Sequence, residues 1–147
     1  AGYPEGHVEN PDKDDDRKRL HEKIAAGAEF IVTQFFLDNT HFLHWRDQLH
    51  KEGVSVPLVA GILPPANWNA MSRLSDMCGV SIPEKLAQAL IKHESDPEVS
   101  KIIGFEHVEK QIEELLQEGV EGLHLYALNS LETVDRLGPK LKESSGT

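Results

Sequence analysis

Short apolar runs recurring between segments of helical spacing constrain this chain more than any other feature. Residues 30–36, 57–63 and 122–128 are each rich in Val, Ile, Leu or aromatic side chains and have the length of strands. Around them, helical spacing predicts helices over 14–27, where Leu20, Ile24 and Ala28 recur at four-residue intervals, and over 39–53, where Phe42, Trp45 and Leu49 share a face. Gly27 and Gly53 stand where C-terminal caps are wanted. Further helices are predicted over 67–78, 83–93, 97–119 and 131–142. The fifth of these six places Phe105, Val108, Ile112, Leu115 and Leu116 on one stripe, and Ser95 and Glu98 before it have capping-box spacing. Strands that alternate with helices pair in parallel through right-handed crossovers, so the chain reads as α/β.

The strands choose among parallel architectures. In "GLHLYALN", His124 and Tyr126 alternate with Leu123 and Leu125, so one face can pack on helices while the other offers polar groups to an interior or a ligand. No Gly-rich phosphate turn follows any strand, which argues against a doubly wound dinucleotide fold. A (βα)8 barrel of the TIM type needs about 250 residues. At 147 residues the chain therefore matches about half a barrel, over 1–142, with a polar tail over 143–147. The turn-like start "AGYPEGH", without an initiator Met, reads as part of a longer chain.

Charge removes several functional classes. Twenty-five acidic against 15 basic residues give a formal charge of −10, which repels nucleic-acid backbones and anionic lipid. No apolar run approaches the roughly 20 residues of a membrane span. The single cysteine, Cys78, has no partner for an internal disulfide, and the setting reads as cytoplasmic.

In a barrel, ligands meet the carboxyl ends of the strands, where residues 3–7, 33–38, 61–67 and 126–129 fall. Gln34 either points its amide into a ligand cleft or bonds a neighbouring strand or loop. The segment "PDKDDDRKRLHEK" reads as helix-dipole and i,i+4 electrostatics or as the polar rim of a dinucleotide site, with Lys23 placed to meet a pyrophosphate. His41 and His44 have i,i+3 spacing, but no carboxylate or thiol completes a ligand set, so no metal site is expected. Cys78 and Trp45 read as packing residues, and Trp68 as packing or as a wall for a ring-shaped ligand. Spacing alone reaches a ligand-binding half of a βα barrel.

The strings "AGYPEGH", "KIAAGAEFIVTQFFLD", "GILP", "CGVSIP" and "GLHLYALN" stand in the order and spacing seen in methylenetetrahydrofolate reductases. The chain resembles the carboxyl-terminal half of that family's barrel, from the end of the fifth strand through the eighth helix. The resemblance implies an FAD-dependent oxidoreductase in which NAD(P)H, either NADH or NADPH, reduces the flavin and the flavin passes hydride to 5,10-methylenetetrahydrofolate. It places Tyr3, His7, Asp16 and Lys23 on FAD, and Gln34 on the folate and nicotinamide in turn. Arg19 and Glu22 stand at helix positions that are often polar in the family, Ala60 replaces a Pro, and the family's His-Pro-Glu reads His7, Val8, Glu9, with Val8 in place of the Pro. Ala70 stands for a folate-contacting Gln, and Ser130 for an Arg. The family's catalytic Glu and its Arg-Gly-Asp segment fall outside these 147 residues, so no catalytic residue is assigned here. A second class is open, a non-enzymatic half-barrel that serves as a binding or assembly module. On either reading two strand edges and a half-open interior predict a homo-oligomer or pairing with the other half-barrel.

Overall fold

Each apolar run forms a strand, and the strands pair in parallel in the order β1-β2-β3. The computed structural model describes residues 1–10 and 12–144. Along the chain lie α1 (Lys13–Ala25), β1 (Ile31–Phe35), α2 (Asn39–Lys51), β2 (Leu58–Ile62), α3 (Trp68–Cys78), α4 (Glu84–Lys92), α5 (Pro97–Gln117), β3 (Gly122–Leu125) and α6 (Leu131–Ser144). Parallel strands alternating with helices give an α/β fold consistent with part of a TIM-type barrel. Of the tail expected over 143–147, residues 143 and 144 continue α6 and the last three lie outside the described residues.

One face of the sheet carries Ile31, Leu58, Ala60 and Ile62 against Phe42, Trp45 and Leu49 of α2 and Phe105, Val108, Ile112 and Leu115 of α5. A second cluster joins Phe35, Leu37 and Leu63, at and just past the strand ends, to Met71, Val80, Leu86 and Leu90. On the other face Val32, Gln34 and Val59 are only half-buried, and His124 is exposed, as the alternation predicts. α5 is locked to the β1–α2 connection by polar bonds as well. Gln111 Nε2 donates to Phe36 O and Asn39 Oδ1, Asn39 Nδ2 donates to Glu114 Oε2 at 2.6 Å, and His107 Nε2 lies 2.8 Å from Leu37 O.

Buried Thr33 explains one polar side chain of β1. The β1–β2 register shifts between Val32 and Phe35, and the Thr33 hydroxyl takes the Gly61 N–H at 2.9 Å that a regular ladder would have bound. Its carbonyl accepts from Tyr126 Oη, also at 2.9 Å, which ties β1 to the segment after β3.

Two local expectations change. Asp96, not Ser95, caps α5: its carboxylate accepts from Val99 N–H, with Pro97 in the first turn. The third strand ends at Leu125 rather than 128, because Leu128 and Asn129 adopt left-handed backbone (φ 48° and 62°) that no strand accommodates. Ser130 then receives the Thr133 N–H and caps α6.

Candidate functional site

The site is built from the amino-terminal turn. Gly2 pairs in parallel with Thr33, donating to Val32 O and accepting from Gln34 N–H, so the first residues run beside β1 and deliver Tyr3 to the carboxyl end of the sheet. Only glycine allows this approach, since a Cβ on residue 2 would sit 2.7 Å from the Trp45 ring. The chain then turns through Pro4 and Glu5, closed by Gly6 N–H to Tyr3 O at 3.0 Å, with Gly6 at φ 93°. Asp12 caps α1 by accepting from Asp14 and Asp15 N–H.

Tyr3 and His7 meet edge to face, with ring centroids 4.6 Å apart. The His7 N–H donates to Asp16 Oδ2 at 2.5 Å, joining the turn to α1. Lys23 Nζ lies 5.9 Å from the Tyr3 ring centroid and donates to Ala1 O. These four residues line one cavity of about 910 Å³, whose opposite wall is the polar face of α2 with His41, His44, Trp45 and Gln48. Lys13 and Arg19 add cationic groups, although Arg19 is held by Asp15 at 3.0 Å. The lining sets Lys13, Arg17, Arg19 and Lys23 among Glu9, Asp15 and Asp16 beside the Tyr3 and Trp45 rings, a surface that suits a ligand flat at one end and charged at the other.

Gln34, which the resemblance puts on folate and nicotinamide rather than on FAD, stands apart from these four. It is not part of this cavity wall; its Oε1 accepts from Phe35 N–H at 3.1 Å, and its strand position puts it on the half-exposed sheet face. A smaller cavity of about 200 Å³ lies past the ends of β2 and β3, lined by Pro65, Phe105, Tyr126, Leu128, Ser130 and Lys101. There Lys101 pairs with Glu132 at 2.8 Å. Ala70 is exposed on α3. Among the described residues no group of three or more His, Cys, Asp or Glu could hold a metal ion, and His41 instead approaches Glu5 at 3.4 Å. Cys78 and Trp68 pack on the second core cluster, and burial pushes the Cys78 thiol up. Trp45 is core, as its spacing predicts, but one edge also lines the large cavity. The α2 wall was missed because its signal, polar residues 40, 41, 44 and 48 along one face, is the pattern of any solvated helix.

Glu52, just past α2, ties the end of that helix to the middle of α1. It accepts from Gln48 Nε2 and Arg17 Nε and meets His21 Nε2, each at 2.9 Å. The Gln48 bond, then those of His21 and Arg17, hold its carboxyl down at about 2. The folded state thus binds fewer protons than the unfolded one between about 2 and the ordinary glutamate value, and stability rises with pH across that window. This contribution is complete above the ordinary value and lost as pH falls through about 2. Because the tie is solvated it is worth roughly 1 kcal/mol or less. Urea midpoints at pH 5 and pH 3 are expected to fall less in Glu52→Gln than in the wild type; equal falls would remove Glu52 from the account.

Comparison with known proteins decides what scaffold this is. The sequence profile of the family described as methylenetetrahydrofolate reductase matches residues 1–141. The chain belongs to the methylenetetrahydrofolate reductase family. It is 34% identical over 142 residues to methylenetetrahydrofolate reductase 1 of Schizosaccharomyces pombe, covering 94% of this chain and 24% of that protein. It is 36% identical over 132 residues to the 5,10-methylenetetrahydrofolate reductase of Escherichia coli, covering 90% of this chain and 45% of that protein. The chain thus spans less than half the length of these reductases. A solved Clostridium thermocellum protein, described as uncharacterized and as binding two copies of 5-methyl-5,6,7,8-tetrahydrofolic acid, superimposes with a TM-score of 0.59 at 18% identity. That likeness covers 98% of this chain and 52% of that one and concerns the fold. No helix among the described residues is long and apolar enough to cross a membrane.

Proposed function

We propose that this chain carries the flavin-binding wall of a methylenetetrahydrofolate reductase, with FAD in the cavity between the amino-terminal turn, α1 and α2. The observation that carries this reading is the convergence of Tyr3, His7, Asp16 and Lys23, from two separate segments, on one cavity of about 910 Å³. In the whole protein the reaction is reduction of 5,10-methylenetetrahydrofolate to 5-methyltetrahydrofolate at the expense of NAD(P)H, a cytoplasmic step of one-carbon metabolism that feeds methionine synthesis.

The residues present fit the cofactor. FAD, when bound, supplies the hydride carrier between nicotinamide and folate. Lys23 and Lys13 offer ammonium groups to its phosphates. Asp16 uses one oxygen on His7 and keeps the other for a ligand hydroxyl, while the Tyr3 ring and the Trp45 edge supply flat apolar surface. Gln34, on the open sheet face, donates its amide to folate or accepts from a nicotinamide without any change of charge. The uncovered edge of β3 pairs with the remaining strands of a complete barrel or with a second copy.

Flavin uptake tests the reading directly. At a hundredfold excess over Kd, FAD is expected to stabilise the chain by about 2.7 kcal/mol, read as a rise in Tm, and its own fluorescence is expected to be quenched on binding. Unchanged melting together with unquenched flavin emission would refute it and favour the assembly-module reading.

A further inference from the structure

We propose that Glu5 is a positioning residue, a clamp that fixes the turn carrying Tyr3 and His7 and thereby shapes the cofactor wall; this rests on the flavin reading above. Its Oε1 accepts from Ser81 N–H at 3.0 Å and from Ser81 Oγ at 2.5 Å, and lies 3.4 Å from His41 Nε2. With the single Ser81 hydroxyl proton committed to Glu5, the 3.2 Å contact between Ser81 Oγ and His41 Nε2 requires the proton on the histidine nitrogen. One carboxylate oxygen therefore gathers donors from the α3–α4 loop and from α2.

The other oxygen makes the placement costly. Glu5 Oε2 is buried with no hydrogen-bond partner among the described residues, in a side chain that is 11% exposed. Closing a turn at this position requires no carboxylate, and burying one incompletely bonded is unfavourable. Contacts across the turn, not its local geometry, account for the acid.

The anchor is rigid. Ser75 Oγ donates to Val80 O, and Val80 is buried in the second core cluster, so the loop that holds Glu5 is fixed to α3. Val8, just beyond the turn, lies against Gly79, where a Cβ would meet its Cβ at 3.3 Å. On the cavity side, His7 N–H passes the position of the turn on to Asp16 of α1. Release of Glu5 therefore displaces Tyr3, His7 and the Asp16 bond together.

Hydrogen exchange and FAD affinity of the full chain test this separately. In Glu5→Ala and in the milder Ser81→Ala, amides of residues 2–10 are expected to exchange faster and the FAD Kd to rise about tenfold, the scale on which loss of a supporting partner acts on a ligand site. Glu5→Gln keeps an oxygen for both Ser81 donors and is expected to stay close to the wild type in both readouts. Wild-type exchange at 2–10 in both Glu5→Ala and Ser81→Ala would overturn the clamp, as would a Glu5→Gln loss equal to that of Glu5→Ala. Faster exchange with unchanged FAD affinity would overturn the positioning role. If the wild type takes up no FAD, the flavin reading falls, and the exchange comparison still decides the clamp.

Discussion

A chain carrying Gly104→Ala is expected to melt far below the wild type. Gly104 is buried on α5, where an added Cβ would lie 1.8 Å from the carbonyl oxygen of Pro65 and 2.9 Å from its carbon. Both are backbone atoms of the loop after β2, so no side chain can swing aside. Relief requires α5 to withdraw, and α5 supplies Phe105, Val108, Ile112 and Leu115 to the core. Overpacking of this kind costs about 3 kcal/mol or more, a large share of the roughly 5–15 kcal/mol that holds a domain together.

The sign of the effect is diagnostic. In an unobstructed helix, Gly to Ala stabilises by up to about 1 kcal/mol. Gly104→Ala is instead expected to destabilise, because its site on α5 is obstructed. Melts followed by circular dichroism decide it, and a Gly104→Ala chain as stable as the wild type would contradict the packing described.

Lys23→Glu is expected to lose about a hundredfold in FAD affinity, the scale of replacing a charge-assisted contact to phosphate by repulsion. Lys23→Gln is expected to lose about tenfold, because it removes the attraction alone. Lys23 is exposed in the last turn of α1, so stability should move by only a few tenths of a kcal/mol through the helix dipole. Salt adds a second check: the difference between wild type and Lys23→Glu should shrink as ionic strength rises. Titration of FAD fluorescence at two salt concentrations measures both, and equal Kd values for the two proteins would remove Lys23 from the phosphate end.

Much of the architecture was legible because it follows from spacing. Stripes such as Phe42, Trp45 and Leu49, or Phe105 to Leu115, can be buried on one side only, and their burial orders the helices around the sheet. Local chemistry was less decisive. Ser95 and Asp96 are adjacent acceptors before Pro97, and the one whose backbone is extended at the helix start wins. Gly104 reads in sequence only as a weakness in a helix; its necessity comes from Pro65, far along the chain, resting on that spot. Gln34 shows the same limit, since alternation gives its face and not its distance from Tyr3. The docking of residues 1–10 against α2 and the α3–α4 loop is tertiary throughout, visible beforehand only as a small residue at position 2 and an acid at position 5.

Among its residues α1 fully buries Leu20 alone, is tied at mid-span through Asp16 to His7 and through Arg17 and His21 to Glu52, and borders a large cavity. A beam pinned at mid-span, with open space along one side, is the member that lifts first. Occupancy of that space would then govern how often this one helix opens, leaving the sheet and α5 undisturbed.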